Sequence, residues 1–418
     1  MRGVAEGGSI VQRSIGGGVR HRPLRLAYFV SHPIQYQAPL LRRIAQEPDI
    51  DLHVFFSSDH SVRGYVDEGF GVKVEWDVPL LEGYRSEFLP RLREGGLAPG
   101  FARPLNGGIF RRLLKDGSFD AVWTHGYSTA NTLQAILAAS LNRIPVLLRA
   151  ESTLHDRPRS QTKLLLKGAF FHGLRPHVRG VLAIGRANAR YWRRYLGETM
   201  PIFPVPYAVD NAFFQEKARE AACGREALRR ELALAAGRPV ILFASKLQER
   251  KRCADLLEAH RLLMTGSSAP YLLIVGDGEE RLRLEQAAAG NPNVVFLGFR
   301  NQTELPRFFD LCDVFVLPSV HEPWGLVVNE AMNASRAVVT SDEVGCHEDL
   351  VRDGINGAVF PARDVPALAR AIASILVSPE RAAQMGEKGR EIVAEYSFDQ
   401  DVSGLRQALS SCLPGFAA

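Results

Sequence analysis

Short apolar, β-branched runs alternate with amphipathic helical stretches along the chain, and this alternation restricts the fold more than any other feature of the sequence. Strands that read as continuous apolar runs are covered on both faces, and helices packed on both sides of a parallel sheet provide that cover. In the first half the candidate strands are LRLAYFV (24–30), IDLHVFF (50–56), AVWTH (121–125), IPVLLR (144–149) and GVLAIG (180–185). In the second half they are PVILFAS (239–245), YLLIVG (271–276), NVVFLG (293–298), DVFVLPS (313–319) and AVVTS (337–341). The pattern predicts an α/β fold.

Between the halves, PIFPVPYAVDNAFF (201–214) breaks the rhythm with three prolines. It is the expected hinge between two domains of similar size, 23–204 and 205–395. Residues 76–108 are expected to form a long Pro/Gly-rich loop, and such loops beside an α/β sheet often wall an active site. The first 22 residues, Gly- and Arg-rich, are expected to be a disordered tail, since they hold no apolar block of signal-peptide length. No run reaches the roughly 18 apolar residues of a membrane span.

The five cysteines, Cys223, Cys253, Cys312, Cys346 and Cys412, show no CxxC or other ligand spacing. They are expected to be reduced core thiols of a cytoplasmic protein. A net charge of +5, without a basic strand interleaved with aromatics, argues against nucleic acid and fits an enzyme for anionic small molecules. Positive charge is densest over 157–179. There SQTKLLLKGAFFHG (160–173) sets Lys163 and Lys167 one helical turn apart beside an apolar run. That suits either a helix lying on the inner membrane leaflet or a core helix with a basic edge.

Ligands of open α/β sheets bind outside the carboxyl ends of the strands. After 239–245 comes SKLQERKR, whose Lys246 and Lys251 precede a helix and are able to neutralise a diphosphate, or else form a solvated basic loop. After 271–276, the Gly276-Asp277-Gly278 turn admits a ligand close to the backbone or simply makes a tight connection, and Arg281 stands where a GxGxxG fingerprint needs glycine. After 313–319 comes HEPWGLVVNEAM (321–332). Gly325 leaves the N–H groups of a helix start open to an anion. Glu322 lies in the loop, and Glu330, one turn into the helix, can accept from both hydroxyls of a ribose. The alternatives are a surface acid at 330 and a helix-dipole partner at 322. Paired carboxylates also serve glycoside hydrolysis, but hydrolysis leaves the phosphate-suited loops unexplained.

The succession SKLQERK, LLIVGDGEE, VVFLGF, LCDVFVLPS, HEPWGLVVNEAM and SRAVVTSDEVGCHEDLVRDGINGAVF resembles that of the retaining GT-B glycosyltransferases known as family 4, most strongly over 239–376. The resemblance implies two Rossmann-like parallel-sheet domains facing an interdomain cleft, with acceptor on the first and nucleotide-sugar donor on the second. It also implies that a C-terminal helix (396–418) packs back on the first domain. Lys246 and Lys251 would contact the donor pyrophosphate and Glu322 the donor sugar. Gly325 and Leu326 would offer backbone to sugar or phosphate, and Glu330 would hold the ribose. Gly276, Gly298 and Phe299 fall in the donor-binding loops. Where the family usually has glycine this chain has Ser245, Arg252 and Cys346; Lys246 replaces an arginine and Trp324 a phenylalanine.

In the first half, His32 and Gln35 follow one strand and His125 ends another, where its ring suits either a ligand or a buried structural bond. The family often carries a histidine at the position of His125. After the next strand, where relatives often have another, this chain has Arg149 and Glu151. The expectation is a transferase moving a hexose-like sugar from a nucleotide diphosphate sugar to a hydroxyl of a glycan, lipid-linked or small-molecule acceptor, with retention of configuration, as in polysaccharide biosynthesis. Glu322, Lys246, Lys251 and His125 are the catalytic candidates, with His32, Gln35, Arg149 and Glu151 on the acceptor side. No metal or other cofactor is expected, because the lysines supply the positive charge. A nucleotide-sugar epimerase, a sugar phosphorylase and a non-catalytic nucleotide-sugar-binding partner subunit are the alternatives.

Overall fold

The computed structural model describes residues 22–67, 69–93, 100–102, 104–114, 119–154, 160–264 and 269–418. Residues 1–21 of the expected tail (1–22) and parts of the 76–108 and 157–179 segments lie outside the described residues. Every strand read from the sequence falls in one of two parallel sheets. The first runs in the order Ile202–Pro204, Gly180–Ala183, Val146–Arg149, Ala121–His125, Leu24–Val30, Ile50–Phe56, Arg85–Phe88. The second runs Val294–Gly298, Tyr271–Val275, Val240–Ala244, Val314–Leu317, Ala337–Ser341, Gly357–Phe360.

In each sheet the first strand of the domain is central. Leu24–Val30 pairs with Ile50–Phe56 on one side and Ala121–His125 on the other. Val240–Ala244 likewise sits between Tyr271–Val275 and Val314–Leu317. The connections leaving these strands diverge to opposite sides, which opens a crevice at their carboxyl ends. The two crevices face each other across the interdomain cleft.

Arg85–Phe88 adds an edge strand inside the segment expected to be loop. Ile202–Pro204, part of the expected hinge, is the opposite edge, where proline is tolerated because no partner needs its N–H. Two short antiparallel hairpins, Tyr65–Asp67 with Val72–Val74 and Arg91–Arg93 with Leu105–Asn106, project from the first domain. The chain enters the second domain after Pro204 and returns at its end. Helix Phe398–Cys412 buries Leu405, Ala408 and Leu409 against Leu26, Tyr28, Leu40 and Leu52 of the first domain. Arg406 clamps Asp49 with two bonds of 2.8 Å.

Two expectations change. Cys253, Cys312 and Cys346 are buried, but Cys223 is exposed and Cys412 half-buried, because each sits at the C-terminal end of a helix, Cys223 capping Asn211–Ala222 and Cys412 closing Phe398–Cys412. Helix Gln161–Leu174 is no core helix: only Phe171 and Leu174 are buried, while Leu165 and Leu166 are 74% and 71% exposed. Lys167 turns inward, its ammonium 4.4 Å from the ring centres of both Tyr191 and Tyr195.

Candidate active site

The second domain's wall is built from loops that only glycine allows to touch. Gly276 has φ +137°, and a Cβ there would collide with the Ser245 carbonyl, so the turn at 276–278 lies flat against the loop carrying Lys246. A short 3-10 turn, Glu249–Lys251, then presents Arg250 and Lys251. The Lys251 ammonium donates to Glu322 Oε2, and Arg250 Nη1 donates to the same oxygen at 3.3 Å. Burial lowers the Lys251 pKa, and the adjacent Glu322 carboxylate opposes that shift. Arg252, in place of the family's glycine, takes the left-handed conformation (φ +53°), held by two 2.8 Å bonds to Asp255.

The loop of Glu322 is pinned on both sides. The Glu322 N–H donates to Glu343 O at 3.2 Å, and Gly345 N–H donates to Glu322 O at 2.8 Å. Gly325 (φ +94°) starts helix Leu326–Asn333 with no side-chain cap, so its first N–H groups are left to the cavity that Gly325, Leu326 and Val327 line. Trp324 is buried, its Nε1 donating to Asn329 Oδ1 at 3.0 Å. Its ring presses against Gly185 of the first domain, where a Cβ would collide with it. Glu330, one turn along the helix, has a carboxylate without a hydrogen-bond partner among the described residues, and burial pushes its pKa up to about 7.

On the opposite wall Glu151 is the centre of a network. Tyr36 Oη donates to Glu151 Oε1 at 2.9 Å, Tyr207 Oη donates to the same oxygen, and His125 Nε2 lies 3.6 Å away. Burial acts to raise the Glu151 pKa, but His125 and the two tyrosines outweigh it and hold the carboxyl at about 2. Gln37 links His125, at 3.2 Å, to Tyr28 Oη, at 2.8 Å. The His32 ring lies 4.3 Å from that of His60, tilted by 44°. Burial first, then His60 and His125, lower its pKa to about 3, so the ring is neutral.

These walls enclose a cavity of about 810 Å³. Lys246, Lys251, Glu322, Gly325, Leu326, Glu330, Gly276, Phe299, His125, His32, Gln35 and Glu151 all line it. Gly298 does not; its carbonyl accepts the Gly276 N–H at 2.8 Å and so shapes the loop from behind. Arg149 is a correction. It is buried on the sheet face that helix Phe398–Cys412 covers, donating to Val205 O at 3.1 Å and lying 3.7 Å from Asp401. It joins the domain linker to the C-terminal helix and does not reach the acceptor side of the cleft. The sequence reading missed Arg250, Arg300 and Gln302 on one wall and Tyr65, Asp67, Phe70, Trp76 and Tyr127 on the other. Arg250 was visible between the two lysines; the hairpin residues carry no motif.

Two Rossmann-like domains of the GT-B fold close on a cleft with clustered cations, an uncapped helix start and, at Glu330, a carboxylate without a hydrogen-bond partner among the described residues. Residues 224–392 match the family described as Glycosyl transferases group 1. The chain is 27% identical over 287 residues to the alpha-D-kanosaminyltransferase of Streptomyces kanamyceticus, covering 68% of this chain and 72% of that one. It is 32% identical over 187 residues to the lipopolysaccharide core biosynthesis glycosyltransferase LpsE of Rhizobium meliloti, covering 44% of this chain and only 53% of that one. Its fold is similar to that of Anabaena HepE in complex with UDP and glucose (TM-score 0.69, 19% identity, 93% of this chain and 100% of that one). The likeness to HepE shows the GT-B fold, and the family match covers the second domain.

Proposed function

We propose that the protein transfers a hexose-like sugar from a nucleotide diphosphate sugar to a hydroxyl acceptor with retention of configuration. The observation that carries this reading is Glu330, whose carboxylate has no hydrogen-bond partner among the described residues, on the helix whose uncapped start shares the cavity with the lysines. Five residues separate Gly325 from Glu330, about 7.5 Å along the axis, a span that suits a ribose at one end and a diphosphate at the other. The acceptor oxygen forms a bond to the anomeric carbon as the bond to the diphosphate oxygen breaks, and the hydroxyl proton passes to the departing diphosphate. Lys246, Lys251 and the helix N–H groups receive the departing charge, the role a metal ion fills elsewhere. Glu322, beside Lys251, faces the donor sugar; His125, His32, Gln35 and Glu151 orient the acceptor. HepE's complex with UDP and glucose supports a nucleotide-sugar donor, and the order of motifs supports retention and family 4 membership.

Purified protein, incubated with UDP-, GDP- and ADP-sugars and candidate acceptors, is expected to form an α-linked product from an α-linked donor, at a rate chelator leaves nearly unchanged. An inverted product, or a chelator loss restored by magnesium or manganese, would overturn the mechanism. Donor turnover in the absence of any acceptor hydroxyl would favour an epimerase.

We also infer a cytoplasmic protein that touches the inner leaflet through helix Gln161–Leu174. Among the described residues no helix is long and apolar enough to cross a membrane, but Leu164, Leu165, Leu166 and Phe170 are exposed on one short helix beside Lys163. Co-sedimentation with anionic vesicles is expected to fall with rising salt and on replacing Leu165 and Leu166 by aspartate. Binding indifferent to both changes sinks the assignment.

A further inference from the structure

A hairpin of the first domain bridges the cleft onto the proposed diphosphate site. Asp67 Oδ1 accepts a bond from Lys246 Nζ at 2.6 Å. Phe70 lies with its ring centre 4.7 Å from the same ammonium and 4.8 Å, edge-on, from that of Phe299. Gly69 packs so tightly that a Cβ there would stand 2.6 Å from Lys246 Cδ. Further along, Asn301 Nδ2 donates to Glu75 O at 2.6 Å and the Thr303 N–H to Asp77 at 3.1 Å. The strap is thus tied to the second domain at its foot by hydrogen bonds and at its tip by one ion pair and ring contacts.

We propose that Asp67 stands where a donor phosphate belongs at Lys246, and that the diphosphate displaces it and frees the tip of the strap. This rests on Lys246 being a diphosphate cation. A carboxylate and a phosphate placed side by side on one ammonium repel each other, and the diphosphate has more to hold it there. It carries more charge and reaches Lys251 and the helix start as well. Asp67 loses less by leaving, because Oδ1 also accepts the N–H groups of Gly69 and Phe70, at 2.8 and 3.0 Å, and these move with it. Tyr65, whose hydroxyl donates to Asp67 Oδ2 at 3.2 Å, lines the cavity on the same strap. Donor arrival therefore rearranges part of the acceptor wall, so the two affinities are coupled.

Calorimetry on the full chain with UDP, GDP and ADP and their nucleosides tests this. Asp67→Asn is expected to bind the diphosphate about fivefold more tightly, the range of a partly exposed ion pair, with nucleoside affinity unchanged. Asp67→Glu, which keeps the charge, is expected to bind like the wild type. Unchanged or weaker diphosphate binding by Asp67→Asn overturns the proposal, as does equal tightening in both variants, which would report a loosened hairpin. If the wild-type chain binds none of the three diphosphates, the donor reading fails and this inference with it; binding that ignores Asp67 removes the inference alone.

Discussion

Replacing Lys251 by alanine is expected to slow transfer by about 10²- to 10³-fold, the loss typical of removing one preorganised donor from a developing negative charge. The side chain is buried and its ammonium donates to the Glu322 carboxylate. It is therefore already desolvated, and a departing diphosphate meets it without a solvent shell to strip. Lys246 is more exposed and shared with Asp67, so it compensates only in part. Diphosphate affinity should fall while nucleoside affinity holds, because only the former carries the charge that Lys251 meets. Glu322 keeps Arg250 as a neighbour at 3.3 Å, which limits the stability loss below the 3–5 kcal/mol of a carboxylate left wholly unpaired. Steady-state rates, calorimetry with both ligands and a denaturant midpoint separate these effects. Equal weakening of nucleoside and diphosphate would take Lys251 out of the phosphate site.

The parallel strands were legible because burial on two faces writes itself as an unbroken apolar run, as in YLLIVG and DVFVLPS. Arg85–Phe88 was not: RSEF is an edge strand whose side chains are exposed or half-buried, and nothing in its pattern separates it from a loop. Ile202–Pro204 carried the hinge signal of its prolines, and the edge position reconciles the two. Helix Gln161–Leu174 left two readings open in the sequence; the exposure of Leu165 and Leu166 removes the core-helix reading, with only Phe171 and Leu174 packed on the domain.

The donor wall was readable because its residues follow strand ends within a few positions, and topology brings strand ends together. Arg149 shows the limit of that rule. It is also a strand end, but its side chain takes the face covered by the C-terminal helix, and the sequence does not say which face a helix 250 residues away will cover. Asp67 is the converse. It sits in a short hairpin outside both sheets, and only the closing of one domain on the other sets it against Lys246.

Glu330→Ala is expected to weaken nucleoside and nucleoside diphosphate alike, by about 1–3 kcal/mol, the loss for charge-assisted bonds to hydroxyls. The pH dependence is the sharper test. Burial raises this carboxyl from 4.5 to about 7, and only the ionised form accepts from both ribose hydroxyls. Nucleoside affinity should therefore fall as pH drops below about 7 and stay flat in Glu330→Gln. The nucleoside is the better probe, since a terminal phosphate titrates near 6 itself. Stability moves the opposite way. The folded state binds the extra proton between pH 4.5 and 7, so this group's contribution is full below 4.5 and is lost as pH rises through 7. Glu330→Gln should then gain stability over the wild type at pH 8 and little at pH 4, read as denaturant midpoints. Wild-type nucleoside affinity that ignores pH between 6 and 8, or an alanine variant that binds nucleoside as well as wild type, would mean that Glu330 does not hold the ribose.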